Sequence, residues 1–218
     1  MMKPLFAYSL AHSLAGAAAL ALLGAVASLA APSDAAPDAP RYDADGRLIP
    51  PSDYREWVFL SSGLNMSYNP APETAGMDMF GNTFAPRAAY AAFKATGHWP
   101  DKTVLVLENR AGTTKGSINK HGQFQSGEAM GFEAHVKDEA RFKGGAGGGW
   151  AFFAFDGDKP AKQIPYEAAC YSCHQQHAAV DTTFVQFYPT LLPIAQKQKT
   201  LSAEYLVEQG KHAPVSAP

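Results

Sequence analysis

An α+β fold, mainly β, is predicted by three features of the 218-residue chain. Alternating or β-branched stretches fill its middle, glycine- and proline-rich connections separate them, and only a few short stretches carry helical spacing. The composition is that of an ordinary globular protein, 46% hydrophobic and 17% charged. A net charge of −2 without a long basic run argues against a nucleic-acid partner.

The N-terminus reads as an export signal over residues 1–30. Lys3 supplies the positive end, Leu14 to Ala31 is rich in Ala and Leu, and small residues at Ala25-Val26-Ala27 and Ser28-Leu29-Ala30 suit cleavage. The Ala-rich apolar part is marginal for spanning a ~30 Å hydrocarbon core, so cleavage into the periplasm is expected rather than anchoring. Residues 31–52 are expected to be an extended, disordered linker, with a turn at Asp43-Ala44-Asp45-Gly46. The domain is placed at 53–199 and a C-terminal tail at 200–218.

Within the domain, Trp57-Val58-Phe59-Leu60 suits a buried strand. Met66 to Gly81 reads as a loop, and Asn82-Thr83-Phe84 as a brief extended piece. Arg87 to Thr96 has helical spacing, with Gly97 where a helix C-terminus wants it. Thr103 to Asn109 is a strand with Leu105 and Leu107 on one face and Val104, Val106 and Glu108 on the other. Residues 111–128 read as a connecting loop. From Met130 to Lys137 apolar and polar residues alternate, and the polar face, Glu133 and His135, is expected to meet solvent. Trp150 to Phe155 is the most aromatic strand.

A probable helix from Glu167 to Ala178 then carries Cys170-Tyr171-Ser172-Cys173-His174. Cys-x-x-Cys-His is the attachment signature of a c-type haem: two thiols suit the two vinyl groups, and the histidine suits the iron. A dithiol redox pair would lack its βαβ context, and a zinc site with His177 would need residues 173 and 174 to converge on one tetrahedral ion. These are the only cysteines, so one covalent haem leaves no disulfide. His177 is expected near the surface. Phe184 to Leu192 should close over the haem or the sheet, and a short helical stretch follows Thr200.

Tyr54-Arg55-Glu56-Trp57-Val58, Thr96-Gly97-His98-Trp99-Pro100-Asp101, Val136-Lys137-Asp138, Trp150-Ala151-Phe152, Cys170 to His174 and Asp181 with Phe184 to Pro189 together resemble the cytochrome P-460 family, from about residue 53 to about 193. The resemblance implies an antiparallel sheet with flanking helices, a homodimer, and one five-coordinate haem c held by Cys170, Cys173 and His174, with His174 on the iron. It implies one of two activities: oxidation of hydroxylamine and nitric oxide, or, in the cytochrome c′-beta type, binding of nitric oxide in an apolar distal pocket. The enzymes bond a lysine to the haem where this chain has Leu107; Lys102 and Lys115 do not match that position. Where the enzymes offer a distal arginine, this chain has Phe80.

Gas binding is therefore the first expectation, with Phe80, Phe84 and Leu107 lining the haem pocket. Enzymatic turnover is the second, with Glu108 or Glu133 as the proton relay. Electron transfer with a sixth ligand from Met66, Met77 or Met79, and a redox partner cytochrome, is the third.

Overall fold

The computed structural model describes residues 38–67, 76–116 and 118–212, so the expected export signal lies outside the described residues. Strand pairing is antiparallel throughout. β1 (Val58–Leu64), β2 (Met79–Ala85), β3 (Val104–Thr113), β4 (Phe124–Gln125), β5 (Gly131–Lys137) and β6 (Trp150–Phe155) form one sheet in the order β1-β2-β3-β5-β6, with the short β4 also on β3. Among the described residues four helices accompany it: α1 (Arg87–Thr96), α2 (Ala169–His177), α3 (Leu192–Gln198) and α4 (Ala203–His212). Among the described residues no helix is long and apolar enough to cross a membrane.

Period-two alternation gives the sheet two faces that do different work. Val104 and Val106 of β3, Ala134 and Val136 of β5, and Phe153 and Phe155 of β6 pack with Leu48, Tyr54 and Trp57 into one core. The other face joins Leu105 and Trp150 to Phe93, Trp99, Val185 and Leu191. Each such large side chain, fully buried, contributes about 1.5–3 kcal/mol.

The connections follow local chemistry. α1 ends where Gly97 turns left-handed (φ 78°) and its N–H returns to the Phe93 carbonyl at 2.7 Å. Asp43 to Gly46 forms the expected turn, with the Gly46 N–H on the Asp43 carbonyl at 3.0 Å. The linker expectation is corrected beyond it. Leu48 is 1% exposed and bridges both Tyr42 and Ala161, so an apolar side chain draws this segment into the core. In the segment read as a tail, α4 packs on α2 and its Tyr205 reaches the core.

Candidate functional site

Over the second face of the sheet lies a cavity of about 660 Å³, within the range that cofactor and ligand clefts occupy. Its hollow is written into the register. Gly63 pairs with Gly81, Gly81 with Asn109, and Asn109 with Gly131, so three of four residues on that level have no side chain. A Cβ on Gly81 would come within 3.2 Å of Leu107 Cδ1, and one on Gly63 within 2.3 Å of Met66 Sδ. The far wall is Thr183, Phe184, Phe187 and Tyr188, around the 3₁₀ turn Val185–Phe187.

α2 delivers His174 to this cavity. Buried Tyr171 fixes the helix to β6: its hydroxyl donates to the Ile164 carbonyl at 2.9 Å and accepts the Phe152 N–H at 3.2 Å. Gln186 holds the other end, accepting from Ala179 N–H at 2.9 Å and donating to the His177 carbonyl at 2.7 Å. The His174 ring packs against Phe184 at 4.2 Å and Phe152 at 4.6 Å. Burial pulls its pKa down to about 4, so the ring is neutral near pH 7. Its Nδ1 lies 2.7 Å from the Thr182 carbonyl, which can only accept, so Nδ1 carries the proton and Nε2 keeps a free lone pair.

Cys170 and Cys173 sit on the same helix, half-buried and not bonded to each other. Burial raises both thiol pKa values, opposite to the lowered values of dithiol redox pairs. No three or more His, Cys, Asp or Glu side chains among the described residues converge for a metal ion, and His177 instead faces Glu208 of α4 at 3.0 Å, so no zinc tetrahedron forms here.

Leu107 lines the cavity, but Phe80 and Phe84 do not. That expectation is corrected: they alternate with Gly81 and Thr83, which take the cavity side of β2, and Phe84 packs against Tyr54 and Phe59 on the opposite face. Glu108 is likewise corrected as a proton relay. It is 2% exposed on the face away from the cavity, where Arg55 Nη2 donates to it at 2.7 Å and Tyr54 and Arg110 also bond it. These partners outweigh the desolvation that opposes them and hold its carboxyl at about 2.

Glu133 does line the cavity, directly across from Leu107 in the register. The residue keeps an exposed surface, and desolvation by the protein around it pushes its pKa above the usual carboxylate range. Glu133 stays exposed, but the solvent-facing expectation fails for its neighbour. His135 is 8% exposed, stacked on Phe152 at 4.0 Å and edge-on to His174 at 5.1 Å, with its buried Nε2 unpartnered. Burial takes its pKa well below 6.5, so it packs as a neutral ring. Alternation alone cannot show this, because a strand with two covered faces alternates like one with a wet face.

The methionines are distributed by the same register. Met79 pairs with Ala111, six residues along β3 from Leu105, the partner of His135; at ~3.3 Å per residue that is about 20 Å from the level of His174. Met66 packs on Gly63, about 13 Å up the sheet by the same spacing. Met77 is exposed and outside the wall.

A cofactor-sized hollow over a sheet, a neutral buried imidazole with a free lone pair, and two thiols on its helix define a β-sheet haem-binding protein. The family comparison agrees: the model described as Cytochrome P460 matches residues 51–185, and the chain belongs to the cytochrome P460 family. No match to the chain was found among curated proteins.

Proposed function

We propose that the protein is an exported, periplasmic cytochrome with one covalent haem c, whose five-coordinate iron takes nitric oxide or a similar small diatomic ligand. The observation that carries this reading is Leu107 in the cavity wall. The resemblance puts the cross-linking lysine of the enzymes there, and leucine can neither form that bond nor carry a proton. His174 would hold the iron through Nε2, and Cys170 and Cys173 would give thioethers to the porphyrin edge. Bound there, the haem would supply an iron able to take a small diatomic ligand. Leu105, Leu107, Phe152 and Phe184 give the wall an apolar part, which suits an uncharged diatomic that needs no hydrogen-bond donor.

Protein matured with haem-ligation machinery should keep its haem stain through denaturing electrophoresis. It should show a high-spin ferrous spectrum without a strongly red-shifted band and bind carbon monoxide and nitric oxide. Colourless protein, or iron that refuses carbon monoxide, overturns the proposal. Homodimerisation completes the reading, supported by edge strand β1, which leaves Phe59 and Leu64 exposed; light scattering checks it.

One observation favours a second reading, oxidation of hydroxylamine or nitric oxide with electrons passed to a partner cytochrome. Glu133, its pKa raised in the cavity wall, is a group that can take and return a proton there. Turnover of hydroxylamine with an electron acceptor, abolished in Glu133→Gln, would establish this reading in place of gas binding.

A further inference from the structure

The loop that touches His174 is held in an unfavourable shape. Val180 and Thr183 pair across a two-residue turn whose central residues are both left-handed, Asp181 at φ 48° and Thr182 at φ 55°. Such turns take Asn-Gly or Asp-Gly, because glycine adopts positive φ without a Cβ clash. A β-branched residue at positive φ is a steric outlier, because its Cβ crowds the backbone. The side chain of Thr182 does not compensate, since its buried hydroxyl has no partner. Its carbonyl is what the shape delivers, 2.7 Å from His174 Nδ1.

Something outside the turn must hold it. The Asp181 carboxylate accepts the Trp99 backbone N–H through one oxygen and faces His98 Nδ1 with the other, each at 3.0 Å. Beside it, Trp99 Nε1 donates to Thr183 Oγ1 at 2.9 Å, and that hydroxyl donates to the Val180 carbonyl at 2.6 Å. Trp99 is fully buried against Phe93, so the clamp is anchored in the core rather than at the surface.

We propose that Asp181 is a positioning residue for the axial imidazole: it clamps the turn to Trp99 so that the Thr182 carbonyl fixes the tautomer and orientation of His174. A strong Nδ1–H···O=C bond makes an imidazole a better electron donor to a metal. The proposal rests on His174 being the iron ligand, as argued above.

The test uses the haem-loaded protein and two readings of the iron–histidine bond. These are its stretching frequency in the ferrous state by resonance Raman and the midpoint potential by spectroelectrochemistry. Asp181→Ala should lower the frequency and make the potential more positive. Asp181→Asn, which tolerates positive φ and retains an acceptor for Trp99 N–H, should restore both towards wild type. In a Thr182→Gly background, where the turn no longer needs holding, Asp181→Ala should shift both readings less.

Haem-loaded Asp181→Ala with an unchanged frequency overturns the positioning role while leaving the ligand assignment intact. Should Asp181→Ala alone fail to mature, the comparison passes to the Thr182→Gly background. There the double variant must mature with a smaller but measurable shift relative to Thr182→Gly, and an unchanged frequency overturns the role equally. Wild-type protein without a haem-iron histidine band overturns the ligand assignment itself.

Discussion

Glu108 and Glu133 stand one rung apart on neighbouring strands, and the sheet between them gives them opposite fates. Glu108 turns into the packed face, where Tyr54, Arg55 and Arg110 satisfy it and hold its carboxyl at about 2. Glu133 turns into the cavity, where no cation among the described residues pairs with it and desolvation raises its pKa. The same residue type is thus a structural anchor on one face and a cavity-wall carboxyl with a raised pKa on the other. What separates them is whether positive charge was built in beside them.

The largest test of that contrast is Glu108→Gln, which leaves Arg110 largely buried without a counter-charge. It should cost about 3–5 kcal/mol in chemical denaturation, whereas Glu133→Gln should change stability by less than about 1 kcal/mol.

The two variants should also show opposite pH trends. Glu108 has a depressed folded pKa, so its contribution is present above the unfolded value of 4.5 and is lost as pH falls through about 2. The shift corresponds to on the order of 3 kcal/mol, and wild type should lose that advantage over Glu108→Gln across this window. Glu133 has a raised folded pKa, so its protonated form fits the fold better, and that contribution is present below 4.5. Wild type should therefore lose ground to Glu133→Gln as pH rises from 4.5 through the raised value. Parallel trends in pH-dependent denaturation curves would break the contrast.

The smallest effect concerns His135. Its Nε2 is buried without a partner, so His135→Met forfeits no hydrogen bond there and removes an unsatisfied polar atom. A gain of about 1 kcal/mol is expected in thermal melts at neutral pH. A loss of similar size would mean that the ring has a bonding role in the haem-loaded protein.

Much of the central fold was legible because packing and periodicity agreed. β3, β5 and β6 read as strands since β-branched or aromatic residues alternate there, and α1 read cleanly down to its Gly97 stop. β2 was seen only in part: Phe80-Gly81-Asn82-Thr83 has no apolar alternation, because its cavity side is glycine and threonine. The resemblance sets Phe80 where a distal arginine is expected, but the register turns Phe80 and Phe84 to the face away from Leu107. α3 was missed because Pro193 looks like a breaker, although at the first turn it costs no hydrogen bond. Of the site, Cys170, Cys173 and His174 were legible as a contiguous motif. Thr182 and His135 were not, since a backbone carbonyl leaves no mark in a sequence and a histidine on a strand says nothing of which side is covered.

The position of α2 after the sheet sets an order of events during synthesis. The six strands of the described residues all precede residue 169, and only 13 residues separate the end of β6 from the start of α2. At ribosomal rates of ~5–20 residues per second, that gap lasts roughly one to three seconds. For that interval every strand of the sheet has been made while the histidine and the aromatic lid of the hollow have not.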